Sequence, residues 1–201
     1  MIHDNMEKEM YIVQYSGPFA FIKPWTAVRD SLTFSQQFLT PSILMGIELK
    51  LFPELLGQKE YKKKIIRHKL TYAGMSRQQE QTQTRGIKVQ QRLNRAMRPR
   101  SILARGVLIS PVLYLAFADK ADAEIAVEQH VCLCRNEDLL LPSANIMQMQ
   151  KEEFDSLDGF ELHFEETDNS FMVGYNRFKN GEIMFGWLDI SENPLQRGSD
   201  E

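Results

Sequence analysis

The sequence has little of what anchors a metal-bound or disulfide-bonded fold. Two cysteines and four histidines occur in 201 residues. Two cysteines do not make a disulfide framework. His3, His68, His130 and His163 lie far apart, without metal-ligand spacing. Cys132 and Cys134 have no second cysteine pair, so they are expected to be small core residues rather than zinc ligands. No metal or cofactor is expected. Long apolar runs are also missing. The longest, Val107–Phe117, is interrupted by Ser110 and Pro111, well short of the roughly 18 residues of a membrane span. The first ten residues are polar and acidic, not a basic stretch followed by an apolar one. A cytoplasmic protein without a membrane partner is expected. No P-loop, Gly-x-Ser-x-Gly or dinucleotide fingerprint occurs, and Gly17-Pro18 reads as a turn.

The charge is unevenly placed. The net value is -3. Between Lys59 and Arg105, however, stand 14 of the 24 basic residues and only two acids, Glu60 and Glu80. That segment carries +12, and the other 154 residues carry -15. Like charges held together repel, and the usual resolution is a polyanionic partner.

Along the chain, residues 1–9 and 191–201 read as flexible tails around a single domain. Met10–Tyr15 is rich in aromatic and β-branched residues and reads as a strand, with Phe19–Ile22 as its continuation. Residues 40–56 read as a helix with Thr40 as N-cap, Pro41 at the first position, and Pro53 ending or kinking it. Lys64–Tyr72 alternates as a strand. Ile66, His68, Leu70 and Tyr72 fall on one face, and Ile65, Arg67, Lys69 and Thr71 on the other. Residues 74–100 are dominated by glutamine and arginine. They are too polar for core and too long for an ordinary connection, so they read as a projecting arm. A hairpin near Arg85-Gly86 and a helical turn over Arg92–Met97 are expected in it. Ile102–Phe117 returns to core, Ala121–Gln129 reads as a helix, and Val131–Cys134, Glu161–Phe164, Phe171–Tyr175 and Ile183–Ile190 as strands. Asn180-Gly181 favours a hairpin turn. This order is βαβ followed by βαβ with an insertion. It predicts an α+β, ferredoxin-like (RRM/RAMP-type) antiparallel sheet with an inserted basic thumb. Helices on one face would leave the other face open to RNA.

Arg77, Arg85, Lys88, Arg92, Arg95, Arg98, Arg100 and Arg105 form the strongest candidate site. Arginine chelates phosphate with a planar fork and stacks on bases. Lys23, Arg67 and Lys69 are further candidate RNA contacts. His68, Lys69 and Tyr72 are residue types that metal-independent RNA cleavage uses. Alternation puts His68 and Tyr72 on the face opposite Lys69, however, and makes buried packing the competing reading. The acids from Lys151–Asp158 onward, through Glu161, Glu165, Glu166 and Asp168, read as a solvated surface.

Short motifs add a resemblance. Gly17-Pro-Phe-Ala-Phe-Ile-Lys23-Pro24 is followed by Leu32-Thr-Phe34 and by Pro41-Ser-Ile-Leu-Met-Gly-Ile47. A later stretch runs from Ser101 through Arg105 and Pro111 to Tyr114. In this order they resemble the Cas five family of the RAMP superfamily, over about residues 10–118. The resemblance implies a non-catalytic RNA-binding subunit of a Cascade-like CRISPR effector complex. Such a subunit caps the 5′ handle of the CRISPR RNA, and its thumb, here residues 74–100, contacts the adjacent backbone subunit. Its partners would be CRISPR RNA, the backbone and large subunits and, through the complex, target DNA. Some family members cleave precursor RNA, so a metal-independent endoribonuclease is the alternative activity. A protein-interaction adaptor with a basic docking arm is the third reading.

Overall fold

Alternating apolar residues set the centre of the main sheet. In strand β1 (Met10–Ser16), Val13 and Tyr15 point to one face, and Met10 and Ile12 to the other; all four are buried. The computed structural model describes residues 9–24, 31–58, 62–83, 86–90, 92, 95–176 and 181–195. After β1 come β2 (Phe19–Ala20), β3 (Leu32–Phe34), helix α1 (Pro41–Leu51), a 3-10 turn at Pro53–Leu55 and β4 (Ile65–Thr71). The arm region holds β5 (Gly74–Gln83), β6 (Lys88–Gln90), β7 (Arg95–Met97) and β8 (Arg100–Ile109). Then follow β9 (Val112–Phe117), α2 (Lys120–Val127), β10 (Val131–Cys132), β11 (Leu139–Pro142), β12 (Met147–Met149) and α3 (Lys151–Asp155). The chain closes with β13 (Gly159–His163), β14 (Phe171–Asn176) and β15 (Glu182–Ser191).

The fold is α+β, and its main sheet runs β10-β11-β1-β9-β4-β13-β15-β14, with β12 also pairing β1. The neighbours are antiparallel. Within it β11-β1-β9-β4 lie side by side, α1 precedes β4, and α2 follows β9. That order is compatible with the expected ferredoxin-like plan. Helices α1 and α2 share one core. Leu44, Ile47, Leu51, Ala123 and Ala126 pack with Val13, Tyr15, Leu113, Leu115 and Phe117. The Tyr15 hydroxyl donates to the Ala126 carbonyl at 2.7 Å, pinning β1 to the end of α2. Thr40 precedes α1 as expected, but its hydroxyl meets Ser42 Oγ at 3.0 Å rather than capping the helix. Pro53 ends α1 and opens the 3-10 turn, which carries the buried Leu55.

Several expectations change. Phe19–Ala20 does not continue β1 in the main sheet but pairs with β8 in a second one. A register irregularity between Ile65 and Arg67 exchanges two neighbours: Ile65 is buried and Ile66 is exposed. The second face of the main sheet is not left open where α3 crosses it. Phe154 packs there with Met10, Ile12 and Ala116. Cys134 is exposed rather than core, and Cys132 is half-buried. The expected Asn180-Gly181 turn lies partly outside the described residues; Gly181 has a φ of 78°. Gly17 is required sterically, because a Cβ there would stand 2.4 Å from the Leu139 carbonyl oxygen. Among the described residues no helix is long and apolar enough to cross a membrane.

Candidate nucleic-acid interface

The second sheet produces the arm. Strands β5 and β8 pair antiparallel over ten residues, from Gly74↔Ile109 to Gln83↔Arg100. At the base, β2 and β3 flank β8 on its other side, β3 in parallel register. Beyond Ala104 the described pairing of β8 is with β5 alone, so the arm is a two-stranded ribbon. Its tip carries a smaller hairpin, β6 with β7. The helical turn expected over Arg92–Met97 is replaced at Arg95–Met97 by a strand. Cross-strand pairing, which sequence periodicity alone does not reveal, decides that.

Register divides the ribbon into two faces, because partnered residues point the same way. One face carries Arg77, Gln79, Gln81 and Gln83 from β5, with Arg100, Ile102, Ala104 and Gly106 from β8. The other carries Gln78, Glu80 and Thr82 with Ser101, Leu103 and Arg105. Arg105 is held there: it donates to Thr33 Oγ1 at 3.1 Å and lies 3.6 Å from Glu80. On the tip, pairing puts Lys88 and Arg95 on one face and Val89 and Ala96 on the other. Arg77, Lys88, Arg92, Arg95, Arg98 and Arg100 are exposed. None of these six has an ion-pair partner among the described residues. Lys23 is also exposed, after β2. Arg85 lies outside the described residues.

Arg67 and Lys69 have other work. Arg67 grips Glu161 with two bonds, from Nε at 3.0 Å and Nη2 at 2.5 Å, and its Nη1 bonds Asp155. Its guanidinium also lies 4.7 Å from the Phe154 ring centre. Burial opposes the charge on Arg67, but the bonds to Glu161 and Asp155 outweigh it and raise its pKa. Lys69 is fully buried and uses all three donors: the Asp155 carbonyl at 2.7 Å, the Leu157 carbonyl at 2.8 Å and Ser191 Oγ at 2.8 Å. These two cations staple β4 to α3, β13 and the end of β15, so neither is presented to a phosphate at the surface. Glu161 and Asp155, expected in a solvated acidic surface, are their partners. The strand register also brings ligand-type atoms of Glu161, His163 and Asp189 within 4.8 Å of one another. Sequence spacing could not show this cluster, because Asp189 arrives from β15. Both Glu161 oxygens are already occupied by Arg67.

His68 and Tyr72 lie in the core on the helix side, as alternation implied. His68 stacks on Phe164 with ring centres 6.0 Å apart, and Tyr72 stacks on Phe160 at 6.0 Å. Burial pushes the Tyr72 hydroxyl pKa up. Burial, followed by the nearby charges of Lys63, His163 and Arg67, pushes His68 down to about 3. His68 Nε2 is buried with no hydrogen-bond partner among the described residues. This predicts an acid response. The folded state holds His68 neutral, so its contribution is complete above the unfolded pKa of about 6.5. It is lost as pH falls from there towards the folded value, at about 1.4 kcal/mol per pH unit. Between pH 6.5 and 4.5 the parent should therefore lose about 2 kcal/mol more than His68→Phe. Parallel urea titrations of the two proteins check this, and equal pH profiles would refute it.

The architecture has a counterpart. It is similar to a chain of a solved "CRISPR RNA-guided surveillance complex". The TM-score is 0.55, the match covers 95% of each chain, and sequence identity is 10%. At that identity the likeness is one of fold. No family model matches the chain, and no curated protein matches its sequence.

Proposed function

We propose that the chain is a non-catalytic RNA-binding subunit of a Cascade-like CRISPR effector complex. The observation that carries this reading is the ribbon, which projects from an acidic α+β domain exposed arginines that have no ion-pair partner among the described residues. Cations without internal partners are available to displace counterions from a phosphate backbone. The fold likeness to a chain of an RNA-guided surveillance complex supports the same assignment. So does the Cas five resemblance of the β1–α1 region, with its implied capping of the 5′ handle of CRISPR RNA. The tip suits contact with a neighbouring backbone subunit, since Ile87, Val89 and Met97 are exposed at 59%, 65% and 41%. The non-catalytic reading is favoured over RNA cleavage because His68, Lys69 and Tyr72 are buried and His68 is separated from Lys69 by the sheet.

The test is RNA binding by the purified protein across a salt series, with a single-stranded CRISPR-repeat RNA. About five neutralised phosphates give a slope of log K against log salt of roughly -3.5. A slope near zero would overturn the proposal.

A further inference from the structure

On the face where the described ribbon residues include no acid, β3 places an aromatic side chain that lies outside the core cluster. Phe34 pairs with Gly106, and Gly106 in turn pairs with Arg77. The three form one row across the second sheet. The Phe34 ring lies over Gly106: a Cβ on that glycine would stand 2.1 Å from Phe34 Cδ1 and 2.7 Å from Cε1. Any other residue at 106 would push the ring away. A glycine inside a paired strand weakens the strand, and it commonly marks close approach of another group. Here it lets a phenyl ring rest on bare backbone. Phe34 nevertheless remains 52% exposed. Backbone thus supports the ring from below, while much of its surface faces water.

The surroundings select the occupant. The next row outward holds Leu32, Ala104 and Gln79, then come Ile102 with Gln81 and Arg100 with Gln83. The ribbon's one described acid, Glu80, points to the other face, where Arg105 holds it. Among the described residues of these paired rows, the Phe34 face therefore presents cations, amides and apolar surface without a carboxylate. That set matches a nucleic-acid strand, with phosphates for the arginines and a π-face for the ring. A protein partner would have to bring its own acids.

We propose that Phe34, seated on Gly106 across from Arg77, is a stacking platform for one unpaired base of a single-stranded RNA running along this face. The inference rests on the RNA-binding reading above and adds which face the strand follows and where a base is held. Stacking is tolerant of sequence because every base has a π-face. The platform thus contributes affinity and register rather than base identity.

The experiment uses the full chain and a single-stranded CRISPR-repeat RNA in which uridines are replaced by 5-iodouridine. Irradiation should attach the RNA to the peptide containing Phe34, with the adduct assigned to residue 34 by mass spectrometry. Phe34→Leu keeps an apolar side chain over Gly106 but removes the π-face. It should bind the RNA about 5- to 150-fold more weakly, the range of one base–aromatic stack. Its salt slope should equal the parent's, because no charge is removed. Phe34→Trp should keep both the adduct and the affinity. Thermal melting of each variant shows that the fold is retained. If the parent binds with the expected salt slope, while Phe34→Leu binds within twofold of it and no adduct forms at residue 34, the platform is overturned and the RNA-binding reading stands. If the parent shows no salt-dependent RNA binding, both fall.

Discussion

Replacing Arg92, Arg95, Arg98 and Arg100 by alanine should reduce affinity for single-stranded RNA on the order of a hundredfold or more at about 0.1 M salt. The four side chains are exposed, and no described acid neutralises them. Their loss should also flatten the salt dependence by about 2.8, since each single-strand phosphate contact contributes about 0.7 to the slope. The domain itself should keep its stability. The core cluster includes no residue between Gly74 and Val107, so the arm lies beyond it. Circular dichroism melting and RNA titration at three salt concentrations measure both quantities. A variant that binds as the parent does would show that the arm is not the RNA contact. A variant that loses binding together with its fold would contradict the separation of arm and core.

The second large effect lies in the main sheet, between β4 and β13. Glu161 is 2% exposed and accepts two bonds from Arg67. Glu161→Ala would leave the guanidinium buried beside Phe154, with Asp155 as its remaining ionic partner. Removing one member of a buried pair costs about 3–5 kcal/mol, mostly for the charge left behind. Arg67→Met combined with Glu161→Leu should cost much less than the single change, because neither charge is then stranded. Urea unfolding of the parent and the two variants tests this. A single substitution costing under about 1 kcal/mol would mean that water already reaches the pair.

These two regions differ in how far the sequence disclosed them. The arm was legible as non-core because glutamine and arginine crowd residues 74–100. Its ribbon form was not, since β5 is polar on both faces and shows no alternation of apolar residues. Pairing with β8 makes it a strand. The apolar face of β4 was also legible, except that the irregularity before Arg67 exchanged Ile65 and Ile66. Helix α3 was hidden because five residues with one buried side chain, Phe154, cannot display a helical period. The Arg67–Glu161 pair joins residues 94 apart in sequence, and that separation carries no local signal. Arg67 and Lys69 looked like surface cations for the same reason: their partners arrive from α3, β13 and β15.

The ribbon has one more consequence. Strand β5 has β8 as its one described pairing partner, so one edge of a ten-residue, glutamine-rich strand faces outward. Exposed strand edges are templates for pairing with another copy, and glutamine ladders reinforce such stacks. Side-by-side pairing of two ribbons would also align their unneutralised arginines at short range. If the arm binds a polyanion as proposed, the same charge would also oppose edge-to-edge joining of separate copies of the protein.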